Sequence, residues 1–320
     1  MGSALSAEQN GCTVLVTGGA GFIGANLCAR LAGDPDIGEV RALDDLSSGT
    51  RHNLDGVDVR FDVGSILNDD ALDAAVVGCT HIVHLAAVPS VPRSIQAPLR
   101  SHEANATGSL RVLEAARRHG NLHVTLASSS SVYGSNPAIP KTEDLPTRPL
   151  SPYGVSKLAT EGYALAYAAS FDLPTLAFRF FNVYGPLQAA GHAYAAVVPA
   201  FVDAALRGEP VIVHGDGRQT RDFTYVGTVV EVLRAAVVGS VTSRPTNLAF
   251  GTRTSLLDTV KLLRQVLERP LDVEHVKPRV GDVRDSQADG SSLRALFPDA
   301  QPVPLEQGLR QTVDWFRSVG

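Results

Sequence analysis

Residues 17–24, TGGAGFIG, decide the fold, because they place three glycines at intervals of three directly after the apolar run 13–16, TVLV. Gly18 can adopt a tight turn, and Gly21 lets the backbone approach a ligand. Gly24 lets a following helix pack closely against the preceding strand. The stretch therefore predicts a strand, a tight turn and a helix that begins at a ligand site.

The residues after this turn complete a βαβ pattern. Phe22 and Ile23 would open the helix with free N–H groups and the positive end of its dipole, which suits a pyrophosphate. A second predicted strand, 39–44 (EVRALD), ends on Asp44, at the distance expected of a ribose-binding carboxylate. Such a carboxylate repels a 2′-phosphate, so the pattern predicts NAD rather than NADP. Asp44 and Asp45 in a merely solvated turn are the alternative, which the complete pattern disfavours.

Composition excludes several classes of protein. The chain has 320 residues, 44% of them hydrophobic, with 28 Lys and Arg against 33 Asp and Glu. A net charge of −5 without basic runs argues against a nucleic-acid or membrane partner and favours small molecules. Three cysteines without metal spacing predict no disulfide framework, no metal site and a reducing, cytoplasmic location. Residues 1–10 are interpreted as a disordered lead, since they lack the features of a signal peptide.

Alternating strands and helices predict an α/β fold. A doubly wound, mostly parallel Rossmann sheet is expected, with ligands at the carboxyl ends of its strands. We predict an NAD-binding domain over 11–182, to which some later segments return, and a smaller α/β substrate-binding domain over 183–320. The predicted strands are 13–18, 39–44, 57–62, 81–87, 123–130 and 174–181, and the predicted helices are 21–32, 69–77, 99–118 and 151–170.

Tyr153 and Lys157 lie four residues apart in 151–157, SPYGVSK, after the helix-start residues Ser151 and Pro152. Four residues place both side chains on one helix face. A phenol with a pKa near 10 is a poor base, so we expect the lysine and a nicotinamide cation to lower that pKa to about 7, at about 4 kcal/mol. The serines of 128–134, SSSSVYG, end a predicted strand beside this pair and can relay a proton.

Together these motifs resemble the extended short-chain dehydrogenase/reductases, and among them the nucleotide-sugar epimerases of the UDP-glucose or UDP-N-acetylglucosamine 4-epimerase type. The resemblance covers nearly the whole chain. Besides the glycine turn, it is carried by 85–87 (LAA), 128–134, 151–157, 179–186 (RFFNVYGP), 221–226 (RDFTYV) and 280–289 (VGDVRDSQAD).

The resemblance implies roles for further residues. Ser129 would be the catalytic serine, with Ser130 beside the substrate, although a run of four serines leaves the choice among 128–131 open. The implied cofactor contacts are Asp62 and Val63 at adenine, Leu85, Ala86 and Ala87 at its middle, and Asn105 near Ser129. The implied substrate contacts are Asn182, Arg221 and Arg279 at the sugar nucleotide's pyrophosphate, Asp282 at its ribose and Ser286 at the sugar.

The resemblance also implies an activity, which is inversion at C4 of a UDP-hexose through a 4-keto sugar. Tyr153 would act as base with the aid of Ser129, and the small Ser286 would leave room for an N-acetyl group. The alternatives are a 4,6-dehydratase or decarboxylase, disfavoured because Ser130 follows Ser129 where those enzymes usually carry an acid, and a non-catalytic NAD-binding sensor. The small residues of 159–170, with the helix 99–118, resemble the family's homodimer interface, and packing within one chain is the alternative.

Overall fold

The computed structural model describes residues 11–190, 195–278 and 283–319. The predicted disordered lead 1–10 lies outside the described residues. The strands are β1 (Cys12–Thr17), β2 (Ile37–Asp44), β3 (Arg60–Val63), β4 (His81–His84), β5 (His123–Ser129), β6 (Thr175–Phe180), β7 (Val183–Tyr184), β8 (Val211–His214), β9 (Thr220–Arg221), β10 (Thr224–Tyr225), β11 (Thr246–Leu248), β12 (Thr254–Ser255) and β13 (Val273–Val276).

The helices follow the order expected of a doubly wound fold. They are α1 (Phe22–Leu31), α2 (Asp69–Val76), α3 (Val91–Gln96), α4 (Pro98–His102), α5 (Gly108–Arg118), α6 (Pro152–Phe171), α7 (Val197–Arg207), α8 (Val226–Val238), α9 (Leu256–Leu267), α10 (Ser291–Leu296) and α11 (Leu305–Val319). Single turns of 3-10 helix lie at Arg51–Leu54 and Ser130–Val132, and a π-helical turn lies at Glu103–Thr107.

Seven strands form one sheet in the order β11-β6-β5-β4-β1-β2-β3, and every neighbouring pair is parallel. The predicted α/β Rossmann class is confirmed. The strand order reverses between β1 and β4, and such a reversal opens a crevice at the carboxyl ends of the strands. The division of the chain into two domains at residues 182 and 183 stays a prediction, and β11 joins the large sheet from beyond that boundary.

Alternation along β1 explains why helices cover both faces of this sheet. Val14 and Val16 pack into one core cluster with Leu27 of α1 and Leu233 of α8, whereas Leu15 packs into another with helices α2, α5 and α6. All three β1 side chains are fully buried. Burial on both faces is typical of parallel strands, which read as continuous apolar runs.

The predicted helix at 99–118 is interrupted. Its residues occupy α4, the π-helical turn and α5, and the π turn buries the side chain of Asn105. At Gly108 an added Cβ would lie 2.5 Å from Cδ1 of Ile66, so a side chain here would require the Ile66 side chain to move. The start of α6 agrees with its prediction, because the Ser151 hydroxyl accepts a hydrogen bond from the N–H of Gly154 at 3.1 Å.

Three histidines are buried in the sheet. His81 and His84 of β4 are both buried and hydrogen-bonded. Burial, together with the neighbouring His123, lowers the pKa of His81 to about 4. Burial, together with the charge of Lys157, lowers the pKa of His84 to about 3. Folding therefore favours the neutral form of these rings.

We predict that acid destabilises the protein through these rings before its carboxylates titrate. Unfolded histidines bind protons below about pH 6.5, and the folded His81 does not until about pH 4. Each such ring should therefore lower the free energy of unfolding by about 1 kcal/mol between about pH 6 and about pH 5. Urea unfolding of wild type and His81→Gln at the two pH values measures this, and the variant should lose less stability by that amount.

The exposed His102 supplies the matched control for this experiment. His102→Gln should lose as much stability between the two pH values as the wild type. An equal loss in His81→Gln and in the wild type would contradict the assignment of the acid sensitivity to the buried ring.

Candidate active site

The glycine turn is held rigidly between β1 and α1. Gly18 has φ of 72°, and a Cβ there would lie 2.7 Å from the backbone nitrogen of Ala86. A Cβ on Gly24 would lie 2.1 Å from the carbonyl oxygen of Gly18. Both glycines are therefore required by close backbone packing, and α1 begins directly against the turn.

Asp44 joins this turn to the end of β2. Its carboxylate accepts hydrogen bonds from the N–H of Ala20 at 3.0 Å and of Leu46 at 2.8 Å. Burial raises the pKa of Asp44, and these N–H groups oppose the rise. Asp45 instead accepts a hydrogen bond from the N–H of Ser47 at 2.9 Å. Asp44 is thus both a structural link and a carboxylate on the cleft, while Asp45 stabilises the following turn.

A cavity of about 840 Å³ lies over the carboxyl ends of the central strands. It brings together most of the residues predicted to bind the cofactor or to act in catalysis. Those lining it are Gly18, Gly21, Phe22, Ile23, Gly24, Asp44, Asp45, Leu85, Ala86, Ala87, Ser129, Tyr153 and Lys157.

Some predicted residues lie elsewhere. Neither Asp62 nor Val63 is among the described residues that line this cavity. Asp62 lies 3.3 Å from the guanidinium of Arg60, and Val63 is 61% exposed. The neighbouring segment 64–67 lines the cavity in their place. Ser130 begins the 3-10 turn and likewise falls outside the described lining.

Sequence reasoning missed several residues of the lining. They include Asn53, Arg100 and Trp315. Asn53 donates a hydrogen bond to the carbonyl of Ala20 at 2.9 Å, so it also fixes the glycine turn. Trp315 lies on α11, near the end of the chain, where no motif points to the cleft. The chain has a single tryptophan, which was the one available signal.

Tyr153, Ser129 and Lys157 meet where α6 begins beside the end of β5. Burial raises the pKa of Tyr153, and a hydrogen bond with the Ser129 side chain opposes the rise. The expected lowering of this pKa includes the charge of a nicotinamide cation, so it stays a prediction. Lys157 donates from Nζ to the carbonyl of Ala127 at 2.8 Å, and burial lowers its pKa to about 8. The side chain of Lys157 is thus mostly protonated, and positively charged, at neutral pH.

The four serines differ in what their hydroxyls contact. Ser128 donates to the Glu161 carboxylate at 2.5 Å, and it also lines the cavity. Ser129 accepts a hydrogen bond from the N–H of Ser131 at 3.1 Å and meets Tyr153. This partition favours Ser129 as the serine that faces the tyrosine.

Asn105 acts one layer behind the cavity. Its side chain accepts from the N–H of Val88 at 2.7 Å and donates to the hydroxyl of Ser156 at 3.0 Å. It therefore links the loop after β4 to the residue that precedes Lys157. Asn105 was expected among the cofactor contacts near Ser129. It lies instead on the π-helical turn, outside the described lining of the cavity, and its side chain contacts α6.

A second cavity of about 240 Å³ adjoins the first, and Pro89 and Ser90 line both. Asn182 and Arg221 line the second cavity. The Asn182 amide donates to the carbonyl of Asp222 at 3.1 Å and lies 3.5 Å from the hydroxyl of Ser286. Arg279 and Asp282, also predicted to bind substrate, lie outside the described residues.

Comparison with known proteins decides the family. A model described as the NAD dependent epimerase/dehydratase family matches residues 14–248. The chain belongs to this family. NAD is accordingly its cofactor, and the first turn of α1 fits it, since no side chain in the described part of the chain caps its N–H groups where they face the cavity.

Three relatives are similar over nearly their whole length. A UDP-glucose 4-epimerase of Mycolicibacterium smegmatis is 37% identical over 95% of this chain and 98% of its own. The structure of a UDP-N-acetylglucosamine 4-epimerase from Methanobrevibacter ruminantium, in complex with UDP-N-acetylmuramic acid, is 35% identical with a TM-score of 0.91, covering 97% and 99%. A Thermus thermophilus UDP-glucose 4-epimerase in complex with NAD is 33% identical with a TM-score of 0.87, covering 96% and 100%.

We predict that Gly24→Ala impairs NAD binding. The added methyl group would meet the Gly18 carbonyl oxygen at 2.1 Å and Cα of Gly19 at 2.8 Å, so α1 must move away from the turn. NAD affinity should fall about ten-fold or more, a loss of about 1.4 kcal/mol or more. Titration calorimetry of the protein freed of nucleotide measures the affinity.

Gly162→Ala is the matched control, because it makes the same change inside helix α6, where nothing lies within 4 Å of the added Cβ. It should bind NAD as the wild type does, because Gly162 is not among the described residues that line the cavity. Wild-type NAD affinity in Gly24→Ala would show that the turn tolerates a side chain and would refute the packing argument.

Proposed function

We propose that the protein is an NAD-dependent UDP-hexose 4-epimerase. Its substrates would be UDP-N-acetylglucosamine and UDP-N-acetylgalactosamine, together with UDP-glucose and UDP-galactose. The observation that carries the proposal is the meeting of Tyr153 with Ser129 at the cavity that also holds the glycine turn and Asp44. Ser130 and Ser131 follow Ser129, so this position lacks the acid expected of a dehydratase or decarboxylase.

In the proposed reaction the side chains of this chain move one proton. Tyr153, as phenolate, accepts the proton of the sugar 4-hydroxyl, with the Ser129 hydroxyl bridging the two oxygens. Bound NAD would supply the acceptor for the C4 hydride and its return. After the 4-keto sugar has turned over, Tyr153 returns the proton to O4, so C4 is inverted without net oxidation. Lys157 contributes a buried positive charge that favours the phenolate.

The second cavity supports a nucleotide-sugar substrate. Arg221, 7% exposed, suits a pyrophosphate because a guanidinium matches phosphate oxygens. Asn182 would assist it, and Arg279 and Asp282 are proposed to complete the contacts. Ser286 lies 3.5 Å from Asn182, although it is not among the described residues that line either cavity. The family resemblance places this small side chain where it would limit the group at C2 of the sugar. This favours acceptance of an N-acetyl group.

The proposal predicts epimerisation without added NAD. Proton NMR would follow purified protein with UDP-N-acetylglucosamine, UDP-glucose and UDP-glucuronic acid separately. The C4 epimer should form faster from UDP-N-acetylglucosamine than from UDP-glucose. Tyr153→Phe should keep its NAD and lose about a hundred-fold or more in kcat, because it cannot take the proton.

Other products would overturn this assignment. Loss of the C4 signals to a keto sugar, or release of carbon dioxide from the uronic acid, would establish a lyase. No reaction with any of the three, together with NAD that exchanges freely, would favour an NAD sensor. A near-native rate in Tyr153→Phe would remove the tyrosine from its role as base.

We infer that the protein forms a homodimer through α4 and α6. Leu99 on α4 is 79% exposed and Val155 on α6 is 52% exposed. Val155, Ala159, Gly162 and Ala166 follow one another at helical spacing on α6, which lets another helix approach closely. Two copies that pair these faces would bury both large apolar side chains.

Leu99→Glu should convert the dimer into a monomer, because pairing would bury a carboxylate without a partner. Sedimentation velocity measures the mass. Ile212→Glu provides the control, since Ile212 is 41% exposed on β8, away from this face. A monomeric wild type, or dimers in both variants, would refute this interface.

A cytoplasmic location is also proposed. The three cysteines are free, which fits a reducing compartment. No helix in the described ranges is long and apolar enough to cross a membrane. Fractionation of the source cells, with the protein found outside the cytoplasmic fraction, would contradict the proposal.

A further inference from the structure

Helix α6 contacts the end of β5 through three side chains spaced four residues apart. Tyr153, Lys157 and Glu161 share one face of the helix. Tyr153 meets the side chain of Ser129, and Lys157 donates to the carbonyl of Ala127 at 2.8 Å. Glu161 accepts the hydroxyl of the intervening Ser128 at 2.5 Å. Ala127, Ser128 and Ser129, three successive residues of β5, thus each contact a different turn of α6.

Glu161 is itself held by a buried ion pair. Arg179 donates from Nε to Oε1 at 2.9 Å and from Nη2 to Oε2 at 2.8 Å. Glu161 and Arg179 are only 2% and 5% exposed. In the pairing of β5 with β6, Arg179 lies directly beside Ser128. The carboxylate therefore has a fixed orientation before it receives the serine hydroxyl.

The far side of the guanidinium is fixed as well. Arg179 donates from Nη1 to the Tyr133 hydroxyl at 2.9 Å, and Tyr133 donates to the side chain of Asn247 at 2.6 Å. Asn247 is the neighbour of Arg179 on β11. Hydrogen bonds between side chains thus connect Ser128 on β5, Arg179 on β6 and Asn247 on β11 without a gap. Replacing a buried ion pair by apolar residues is often neutral or stabilising, so its presence here is weak evidence for a purely stabilising role.

We propose that Glu161 is a positioning residue. Its ion pair with Arg179 fixes its carboxylate, which holds the Ser128 hydroxyl. The end of β5 is thereby placed so that the Ser129 side chain contacts Tyr153. The proposal rests on the proposed function for its kinetic consequences. Neither Glu161 nor Arg179 is among the described residues lining the cavity, so Glu161 acts through the strand rather than on substrate. A displacement of about 1 Å at a reacting group can cost about a hundred-fold in rate.

Ser128→Ala tests this link, because it removes the hydroxyl and leaves the ion pair of Glu161 with Arg179 intact. We expect kcat to fall about ten-fold or more, with KM within about two-fold of the wild type. The acidic limb of the kcat profile should move to higher pH, since a weakened Ser129 hydrogen bond leaves the pKa of Tyr153 higher. A merely structural role would leave that limb in place.

Thr125→Val is the matched control. Thr125 lies on the same strand, is 1% exposed, and its hydroxyl has no hydrogen-bond partner in the part of the chain that the structure describes. Its loss should leave kcat and the pH profile unchanged. Equal kinetics in Ser128→Ala and Thr125→Val would overturn the proposal.

A double-mutant cycle with Glu161→Gln identifies the path. If Glu161 acts only through Ser128, the double variant should lose no more rate than the poorer single variant. If the rate losses of the two single variants multiply in the double variant, the proposal is overturned. Should Glu161→Gln fail to fold because Arg179 is left unpaired, Ser128→Ala still decides the matter.

Crystal structures of the wild type and Ser128→Ala supply a readout independent of turnover. The distance from Ser129 Oγ to Tyr153 Oη should be longer in Ser128→Ala than in the wild type, and an unchanged distance would overturn the proposal. A wild type that inverts no sugar, combined with the expected lengthening, would refute the proposed function and leave the positioning role standing.

Discussion

The contact between Gly24 and the carbonyl of Gly18 fixes the rest of the site. A Cβ at Gly24 would lie 2.1 Å from that oxygen, so α1 starts as close to the β1 turn as a backbone can. This closeness aims the first N–H groups of α1 into the cleft. Asp44 then ties Ala20 of the turn to the end of β2. The cofactor end of the cavity is therefore built from backbone contacts, which side-chain rotation cannot disturb.

The catalytic end depends instead on side chains of α6. Burial disfavours the charged forms of both Tyr153 and Lys157, although the proposed chemistry uses those forms. Two features oppose this cost, which are the Ser129 bond to the phenol and the Ala127 carbonyl that receives the ammonium. Behind them His84 stays neutral, so it adds no positive charge to repel Lys157. The accuracy of the α6 contact with β5 thus matters more here than its contribution to stability.

Local patterns in the sequence predict the parts of this structure that local physics determines. The glycine turn, the capped start of α6 at Ser151 and the predicted strands through β6 all follow from neighbouring residues. β11 escaped prediction because three residues carry no period, and its place beside β6 is set by distant packing. The π turn at Glu103–Thr107 is likewise invisible, since it depends on Asn105 reaching Val88.

In the candidate site, too, local patterns predict some residues, whereas other contacts depend on distant parts of the chain. Glycines, Asp44, Tyr153 and Lys157 were predictable from spacing, and they meet in one cavity. The different contacts of Ser128 and Ser129 were not, because they depend on Glu161, 33 residues farther along the chain. Spacing placed the lysine one turn from Tyr153, but it did not show how deeply the phenol is buried, and in the protein alone this burial raises the pKa of Tyr153.

The two cavities explain how one base could serve both faces of a sugar. Pro89 and Ser90, just before α3, line both cavities. A sugar nucleotide that occupied both cavities would therefore run along these two residues. Its pyrophosphate would be held at Asn182 and Arg221, while its ring would lie in the larger space before Tyr153. A ring tethered only through its phosphates keeps the freedom to rotate about those bonds. In the proposed reaction that freedom is required, because the same nicotinamide face and the same tyrosine must meet C4 from opposite sides.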